Sequence, residues 1–341
     1  MVPRASQRIG PHVRTEDLPC SPRVIRHGRT TDKPHRVMKA LITGAGGFVG
    51  HHLERHLLDA GDEVIATDRS TDGLDILDAA ALLDLFRRSR PEVVYHLAGA
   101  SDVGGSWQTP QATFRANAEG TLNVLWAARE AGTERVLTIG SADVYGKVAA
   151  ADLPITEDLA LRPVSPYAAS KVSADYVALQ AFLGYDQFVV RARPFNHLGP
   201  GQTDRFVAPA LAGRVAANEL EGENVVKVGN LSPKRDFTDV RDVVRAYRLL
   251  LDKGHAGQVY NVCSGTAIAV QELAEQFIAM AAIPMTLEAD PDLQRPVDIP
   301  VLLGDNSRIV ADTGWAPEIA LHQTLEDLLD DRRRRLRSAD A

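Results

Sequence analysis

The stretch Ala40-Leu-Ile-Thr-Gly-Ala-Gly-Gly-Phe-Val-Gly50 predicts a strand, a tight turn and a helix in direct succession. Its apolar start is typical of a parallel strand that is buried on both faces. Gly44, Gly47 and Gly50 follow at GxxGxxG spacing, a variant of the usual GxGxxG dinucleotide motif. Glycines permit a sharp turn and a close approach of pyrophosphate, and the helix N-terminus supplies N–H donors. The stretch therefore predicts a phosphate-binding turn, with a plain turn as the alternative for the motif alone.

Strands and helices alternate with short connections along the chain that follows this turn. Buried-strand patterns lie at 37–43, 63–67, 92–96, 135–139 and 187–191. Helical patterns lie at 48–60, 79–88, 111–131 and 165–183. This alternation predicts an α/β fold, a Rossmann doubly wound parallel sheet with helices on both faces. We predict that residues 38–193 form this dinucleotide-binding domain.

The pattern loosens after residue 193 and predicts a smaller mixed α/β lobe over 194–336. Helical patterns are found near 206–217, 240–251, 270–281 and 321–335, and strands near 225–228 and 258–262. Segments near 225–262 are expected to return in part to the Rossmann domain. Ligands of open α/β sheets bind at the carboxyl ends of the strands, so we predict a substrate-binding lobe over that edge.

The first 37 residues differ from the rest of the chain. They carry eight Arg or Lys residues against three acidic ones and have neither helical nor strand periodicity. No apolar segment follows the basic residues, as a secretory signal would require. We expect a disordered leader, with Met38 as a candidate natural start of translation.

Composition excludes several classes of protein. The 38 basic and 45 acidic residues give a net charge of −7, which argues against a general nucleic-acid binder. No apolar run approaches the ~20 residues of a membrane-spanning helix. Cys20 and Cys263 lie far apart without metal-ligand spacing. We therefore expect no metal site, and reduced thiols in a cytoplasmic protein.

Asp68 strengthens the interpretation of the glycine turn. It ends the second predicted strand, roughly 20 residues past the glycines, where a carboxylate binds the adenosine ribose hydroxyls. A carboxylate there would repel a 2′-phosphate, which favours NAD(H). Arg69 follows directly and offers a partner for that phosphate, so NADP(H) stays open.

Tyr167 and Lys171 stand four residues apart on a predicted helix and therefore share one face. An ammonium beside a phenol lowers the phenol pKa, which would let the tyrosine transfer a proton near neutral pH. Ser141 follows the strand at 135–139, at the carboxyl edge of the predicted sheet. Its hydroxyl could bond a substrate oxygen or simply cap a turn.

Four segments together resemble the extended short-chain dehydrogenase/reductase family that acts on nucleotide sugars, namely 43–50, 96–100, 141–146 and 167–171. The match runs from about Met38 to the last helix. It implies a catalytic triad of Ser141, Tyr167 and Lys171, and a helix-ordering role for Asn117. The resemblance also implies which residues line the cofactor: Gly44, Gly47, Phe48, Val49, Gly50, Asp68, Arg69, Asp75, Ile76, Leu97, Ala98, Ala100, Asn117, Tyr167, Lys171 and Pro194.

Three further stretches, 193–202, 227–242 and 259–265, resemble the branch that contains GDP-mannose 4,6-dehydratases and GDP-4-keto-6-deoxy-mannose reductases. The resemblance implies that Asn196 touches the sugar nucleotide and that Arg235 and Arg295 meet its diphosphate. A guanidinium fork also matches phosphate oxygens on general grounds. Further substrate-binding candidates are Ser101, Ser106 and Lys227, with Trp107 either facing the sugar or belonging to the core.

The helices at 111–131 and 165–183 are similar to the pair that forms a four-helix dimer interface in this family. The resemblance therefore implies a homodimer. An amphipathic helix can equally pack on the core of its own chain, so the pattern alone leaves this open.

The run Ser141-Ala142-Asp143 separates two candidate reactions. Dehydratases of this branch carry an acid or serine and then a glutamate after the triad Ser or Thr. Ala142 cannot move a proton, and Asp143 could act as a base but is one methylene shorter than glutamate. A misplacement of about 1 Å can cost a hundredfold in rate.

We therefore expect reduction of the C4 keto group of GDP-4-keto-6-deoxy-D-mannose by NADH or NADPH, giving a GDP-6-deoxyhexose such as GDP-rhamnose. The alternatives are GDP-mannose 4,6-dehydratase, a nucleotide-sugar 4-epimerase and a non-catalytic cofactor sensor. The sensor is the weakest of these, because the chain keeps both Tyr167 and Lys171.

Overall fold

A parallel sheet of six strands in the order β2-β1-β3-β4-β5-β9 forms the centre of the fold, in a computed structural model that describes residues 37–293 and 299–339. The residues of the predicted leader up to 36, and Arg295, lie outside this range. The strands are β1 Lys39–Thr43, β2 Glu63–Thr67, β3 Val93–His96, β4 Arg135–Ile139, β5 Val189–Pro194 and, later in the chain, β9 Val259–Val262. Every neighbouring pair is parallel. Their Val- and Ile-rich sequences suit strands that helices cover on both faces.

Helices cover both faces of this sheet, which confirms the predicted doubly wound α/β fold. The helices of this part are α1 Phe48–Asp59, α2 Ala79–Ser89, α3 Pro110–Phe114, α4 Gly120–Ala131, α5 Pro166–Tyr185 and, later in the chain, α7 Val240–Lys253 and α9 Ser307–Thr313. One apolar cluster joins α1, α7 and α9 to one face, and another joins α2, α4 and α5 to the other. The chain leaves β1 first toward β2 and then toward β3, so the crevice between β1 and β3 is the expected ligand site.

The region predicted as one helix over 111–131 is interrupted. Between α3 and α4 the residues Arg115–Glu119 form a single π-helical segment. Such segments widen one turn of the helix and often occur at functional sites. Here the widened turn carries Asn117, whose side chain bonds to two other parts of the chain.

The smaller mixed lobe has its own apolar cluster, built largely from three helices. They are α6 Val207–Glu221, α8 Val270–Ala279 and α10 Leu321–Ala339. Its short strands are β6 Asn196–Leu198, β7 Val225–Val228, β8 Lys234–Asp239, β10 Ala267–Ala269, β11 Thr286–Ala289 and β12 Val301–Leu302. Strand β8 pairs with β6, β10 and β12, whereas β7 pairs with β11. None of the helices in the described part of the chain is long and apolar enough to cross a membrane.

The chain returns from the lobe to the central sheet after β8. Strand β9 adds to the sheet beside β5, with Asn261 opposite Arg193. Helix α7 packs on the same sheet through residues such as Val243 and Tyr247. The boundary between the two predicted domains at residue 193 stays a prediction.

Candidate active site

The turn after β1 requires glycine for steric reasons. Gly44 has a positive φ of +80°, and a Cβ there would lie 2.6 Å from the Ala98 nitrogen. A Cβ at Gly50 would lie 2.4 Å from the Gly44 oxygen. Gly47 is the N-cap of α1, so no side chain there can bond the first N–H groups of the helix, including those of Phe48 and Val49. This is the backbone arrangement that holds a pyrophosphate, so the residues present fit a dinucleotide.

Asp68 lies against this turn, although the two are distant in sequence. A Cβ on Gly46 would lie 3.0 Å from the Asp68 Cγ and 2.9 Å from the Ser70 Oγ. The Asp68 Oδ1 accepts hydrogen bonds from the Ser70 N–H at 2.8 Å and from its hydroxyl at 2.5 Å. Arg69 is exposed beside it. The structure thus brings a carboxylate to the end of the crevice where the sequence predicts the adenosine ribose, with the exposed Arg69 next to it in sequence.

The predicted cofactor-lining residues after β2 and β3 form the walls of the crevice. The Leu97 N–H donates a hydrogen bond to the backbone oxygen of Thr43, and the Ala98 backbone lies in close contact with Gly44. Ile76 is buried and lies so close to Gly120 that a Cβ there would be 2.4 Å from its Cδ1. The neighbouring Asp75 turns back on its own loop, accepting from Leu77 N at 2.9 Å.

Asn117 joins this wall to the helix that carries the predicted catalytic residues. Its Oδ1 accepts from Ala100 N at 2.8 Å, and its Nδ2 donates to Ala100 O at 3.1 Å and to the Ser170 Oγ at 2.8 Å. The Ser170 hydroxyl donates in turn to the backbone carbonyl oxygen of Tyr167 at 2.6 Å. A Cβ on Gly99 would lie 2.5 Å from the Asn117 Oδ1 and 3.8 Å from the Lys171 Nζ. Asn117 thus connects the segment after β3 with helix α5, and its predicted role in ordering the helix stays a prediction.

Ser141, Tyr167 and Asp143 meet at the carboxyl edge of the sheet. Ser141 is the N-cap of the one-turn 3₁₀ helix Ala142–Tyr145, and its Oγ accepts from Asp143 N at 3.2 Å. Burial raises the pKa of Tyr167, the Asp143 carboxylate raises it further, and a hydrogen bond with Ser141 acts in the opposite direction. Ser141 and Asp143 thus lie beside a phenol that stays protonated at neutral pH.

The structure corrects the predicted effect of Lys171 on the pKa of Tyr167. The sequence predicts that the ammonium lowers the pKa of Tyr167, whereas the pKa is raised because burial outweighs the favourable contacts. The Lys171 Nζ donates to the Ile139 oxygen at 2.9 Å. Burial lowers the pKa of Lys171 to about 8.

Ser106 has a different place from the predicted one. The sequence groups it with sugar-binding residues, but it is buried and its hydroxyl donates to the Val103 oxygen at 2.6 Å. The Ser106 Oγ itself accepts from Tyr167 N at 3.2 Å, so Ser106 satisfies one of the unpaired N–H groups at the start of α5. Ser101 and Trp107 are exposed, which rules out the core alternative for Trp107.

Two supporting residues escaped prediction. Ser170 lies three residues after Tyr167, a spacing that could have signalled it. His96 is buried at the end of β3, with Nδ1 2.8 Å from the Thr43 Oγ1 and Nε2 3.1 Å from the Thr121 Oγ1. The Thr121 hydroxyl donates its proton to the backbone oxygen of Asn117, so the Thr121 Oγ1 must accept from the His96 Nε2. His96 therefore links this wall to α4.

Asn196 is placed at the carboxyl edge, two residues after Pro194 ends β5. Its Oδ1 is buried and has no hydrogen-bond partner among residues 37–293 and 299–339. An unsatisfied buried acceptor costs about 1–3 kcal/mol, so a donor on a bound ligand would be favourable there. This fits the predicted contact with the sugar nucleotide.

The predicted basic substrate-binding residues of the lobe are less assembled than the catalytic residues. Lys227 lies on β7, largely exposed, with its Nζ 3.9 Å from the Asp290 carboxylate. Arg235 donates to the oxygens of Lys234 at 2.9 Å and Ile299 at 2.6 Å. Arg295 lies outside the described residues. Their substrate contacts stay predictions.

The fold and this site define a nucleotide-cofactor oxidoreductase of the short-chain type, and the chain belongs to the NAD dependent epimerase/dehydratase family, which matches residues 40–263. It is 40% identical to GDP-6-deoxy-D-mannose reductase of Pseudomonas aeruginosa, over 88% of this chain and 98% of that protein. It is 24% identical to GDP-mannose 4,6-dehydratase of Yersinia enterocolitica, over 85% and 92%.

The same fold is found in the solved structure of RMD from Pseudomonas aeruginosa complexed with NADPH. The TM-score is 0.81 at 38% identity, covering 87% of this chain and 99% of that one. These similarities confirm the predicted family and its epimerase/dehydratase branch.

Proposed function

We propose that this protein reduces the C4 keto group of GDP-4-keto-6-deoxy-D-mannose with NADH or NADPH and releases a GDP-6-deoxyhexose of the GDP-rhamnose type. The observation that carries the proposal is the buried Tyr167, hydrogen-bonded to Ser141 at the crevice beside the glycine turn. The 40% identity to a GDP-6-deoxy-D-mannose reductase over nearly the whole of both chains selects the sugar nucleotide.

The side chains divide the work of the reduction. When bound, the nicotinamide supplies a hydride for C4 of the sugar. Tyr167 donates its phenolic proton to the C4 oxygen, and its raised pKa keeps that proton in place until negative charge develops there. Ser141 bonds the same oxygen. Lys171, held on the Ile139 oxygen, binds the nicotinamide ribose.

The run after Ser141 favours reduction over 4,6-dehydration. Dehydration also removes a proton at C5 and expels water from C6, so it needs an acid and a base beyond the tyrosine. Ala142 is buried and has no group that moves a proton. Asp143 lies near Tyr167, but reduction needs no base there, and identity to the dehydratase is much lower.

Either nicotinamide cofactor fits the adenosine end of the crevice. The Asp68 carboxylate suits free ribose hydroxyls, and the exposed Arg69 suits a 2′-phosphate. The similar RMD structure is complexed with NADPH. We expect use of both cofactors.

We also infer a homodimer built through α4 and α5. Leu122 and Trp126 on α4, and Tyr176 and Leu183 on α5, expose apolar side chains to solvent. A second copy of the same face would cover them, as an isologous interface does. The mass of the protein in solution tests this: Trp126→Glu should give a monomer, whereas Leu58→Glu, at an exposed position on α1, should leave the dimer intact. A cytoplasmic location stays a prediction from the two widely spaced cysteines.

The function is tested by offering purified protein two substrates. With GDP-mannose and NAD⁺ or NADP⁺ we expect no 4-keto product. With GDP-4-keto-6-deoxy-D-mannose we expect oxidation of NADH or NADPH, and a GDP-6-deoxyhexose identified by NMR. Accumulation of a 4-keto sugar from GDP-mannose would instead identify a dehydratase, and interconversion of two C4 epimers would identify an epimerase.

A further inference from the structure

A chain of buried polar side chains lies beneath the reaction centre. The Tyr145 hydroxyl donates to the Asn261 Oδ1 at 2.7 Å and accepts from the Arg193 Nη1 at 3.0 Å. Arg193 also donates from Nε and Nη2 to the Asp175 carboxylate, at 3.3 and 2.9 Å. All four side chains belong to residues that are 4% exposed or less. None of them is used in the mechanism above.

Each member of this chain stands on a different element of the site. Tyr145 ends the 3₁₀ helix that Ser141 caps. Asp175 lies on α5, one turn after Lys171 and about two turns after Tyr167, and therefore on the same side of the helix. Arg193 is on β5 and Asn261 on β9. The chain thus ties the segment of Ser141 and the helix of Tyr167 to the same two strands.

A second contact connects Arg193 with Ser141. A Cβ on Gly140 would lie 3.4 Å from the Arg193 Cγ and 3.1 Å from the Ala192 oxygen, which accepts from Gly140 N at 2.7 Å. The residue before Ser141 therefore rests directly on the Arg193 stem. Ser141 is supported from both sides, by Gly140 below it and by the short helix that ends in Tyr145.

Stability alone is a weak reason for this arrangement. Arg191 donates to the same Asp175 carboxylate at 2.7 Å, so one carboxylate faces two buried guanidiniums. Replacing buried ion pairs with apolar residues of similar volume is often neutral or stabilising. What the hydrogen bonds add is a fixed geometry. Burial raises the pKa of Tyr145 to about 12, so its hydroxyl keeps the proton that it donates to Asn261.

We propose that Tyr145 is a positioning residue that, through its bonds to Arg193 and Asn261, holds Ser141 at the right place against Tyr167. The inference rests on the proposed function, in which Ser141 bonds the C4 oxygen. Loss of the Tyr145 hydroxyl frees the end of the short helix and lets Ser141 shift. Because a displacement of about 1 Å can cost a hundredfold, a smaller shift should cost roughly tenfold in kcat.

Tyr145→Phe tests this proposal in two backgrounds. In the wild type we expect kcat for the keto sugar to fall about tenfold, with the KM for NADPH unchanged. In Ser141→Ala the same substitution should change kcat less than about twofold, because the effect passes through Ser141. Tyr260→Phe is the matched control. Tyr260 precedes Asn261 on β9, and its hydroxyl donates to Asp312 at 2.7 Å and accepts from His255 N at 3.1 Å. Tyr260→Phe should keep full kcat.

Two results would overturn the proposal: full kcat in folded Tyr145→Phe, or an equal fold-loss with and without the Ser141 hydroxyl. Far-UV circular dichroism shows whether the variant is folded. If it is not, Asn261→Ser, which moves the acceptor of the Tyr145 proton, takes the same two-background test. A wild-type protein that does not oxidise NADPH with the keto sugar would refute the proposed function itself, so the two failures are distinct.

Discussion

The reaction centre and the outer ends of the ligand crevice are built differently. Tyr167, Lys171, Asn117 and Ser170 are all buried. Asn117 donates to the Ser170 hydroxyl, Ser170 donates to the backbone oxygen of Tyr167, and Lys171 donates to the backbone oxygen of Ile139. At the outer ends, Asp68 is partly exposed and accepts from Ser70, whereas Lys227 is largely exposed and lies near the Asp290 carboxylate. The structure thus places the reaction-centre groups in fixed, buried positions and leaves the two ends of the ligand to exposed surface groups. Preorganised groups contribute most where charge develops in a reaction.

Loss of the phenolic proton donor should give the largest effect on kcat and should leave cofactor binding at the outer end of the crevice intact. We expect Tyr167→Phe to lower kcat by at least about a hundredfold, since a positioned general acid contributes 10²–10⁴-fold. The affinity for NADPH, measured by fluorescence, should change little because the exposed end of the crevice is intact.

Tyr95→Phe is the matched control for that variant. The Tyr95 hydroxyl is buried in β3 without a hydrogen-bond partner in the described part of the chain, so its removal should leave kcat unchanged. Turnover that survives in Tyr167→Phe would exclude the assigned role of the phenol.

The same contrast explains what the sequence could and could not predict. The central strands were predicted to within about three residues, because each is a short buried apolar run between turns. The site residues Gly44, Ser141, Tyr167 and Lys171 follow or face such runs, so their convergence follows from topology. The π segment was missed because the partners of Asn117 lie 17 and 53 residues away.

The lobe was predicted less well for a related reason. Strand β8, Lys-Arg-Asp-Phe-Thr-Asp, is mostly polar and shows no strand pattern, yet four of its six residues are buried. Its pairing with β6, β10 and β12 brings together segments that are distant in sequence. No local signal marks such pairing. Burial likewise decides the pKa of Tyr167, and burial comes from tertiary packing that the Tyr-x-x-x-Lys spacing does not contain.

An intermediate effect is expected from pH, again at the reaction centre. Burial lowers the pKa of Lys171 to about 8, so the side chain is charged below that pH and neutral above it. We expect kcat/KM for NADPH, which reports the free enzyme, to be level from pH 6 to about 7.5 and then to fall tenfold per unit above about pH 8. The raised pKa of Tyr167 keeps the phenol from contributing to this decline.

Lys171→Arg separates this ionisation from general damage at high pH. A guanidinium keeps its charge throughout the range, so the variant should be less active but should lose the decline above about pH 8. A wild-type profile that stays level to about pH 9.5, or an unaltered decline in the variant, would contradict the assignment to Lys171.

The smallest effect is expected at the exposed adenosine end, where Asp68 and Arg69 lie. Asp68→Ala removes a carboxylate that accepts from Ser70 and would repel a 2′-phosphate. We therefore expect the KM for NADH to rise and the KM for NADPH to fall. Cofactor preference should shift by roughly tenfold toward NADPH. Arg69→Ala should shift it the opposite way. Asp84→Ala, which removes the same charge from an exposed position on α2, should leave preference unchanged. Because these groups are expected to contact only the adenosine end of the cofactor, kcat at saturating cofactor should stay within about twofold of the wild type. A larger loss of kcat would mean that the outer crevice and the reaction centre are coupled.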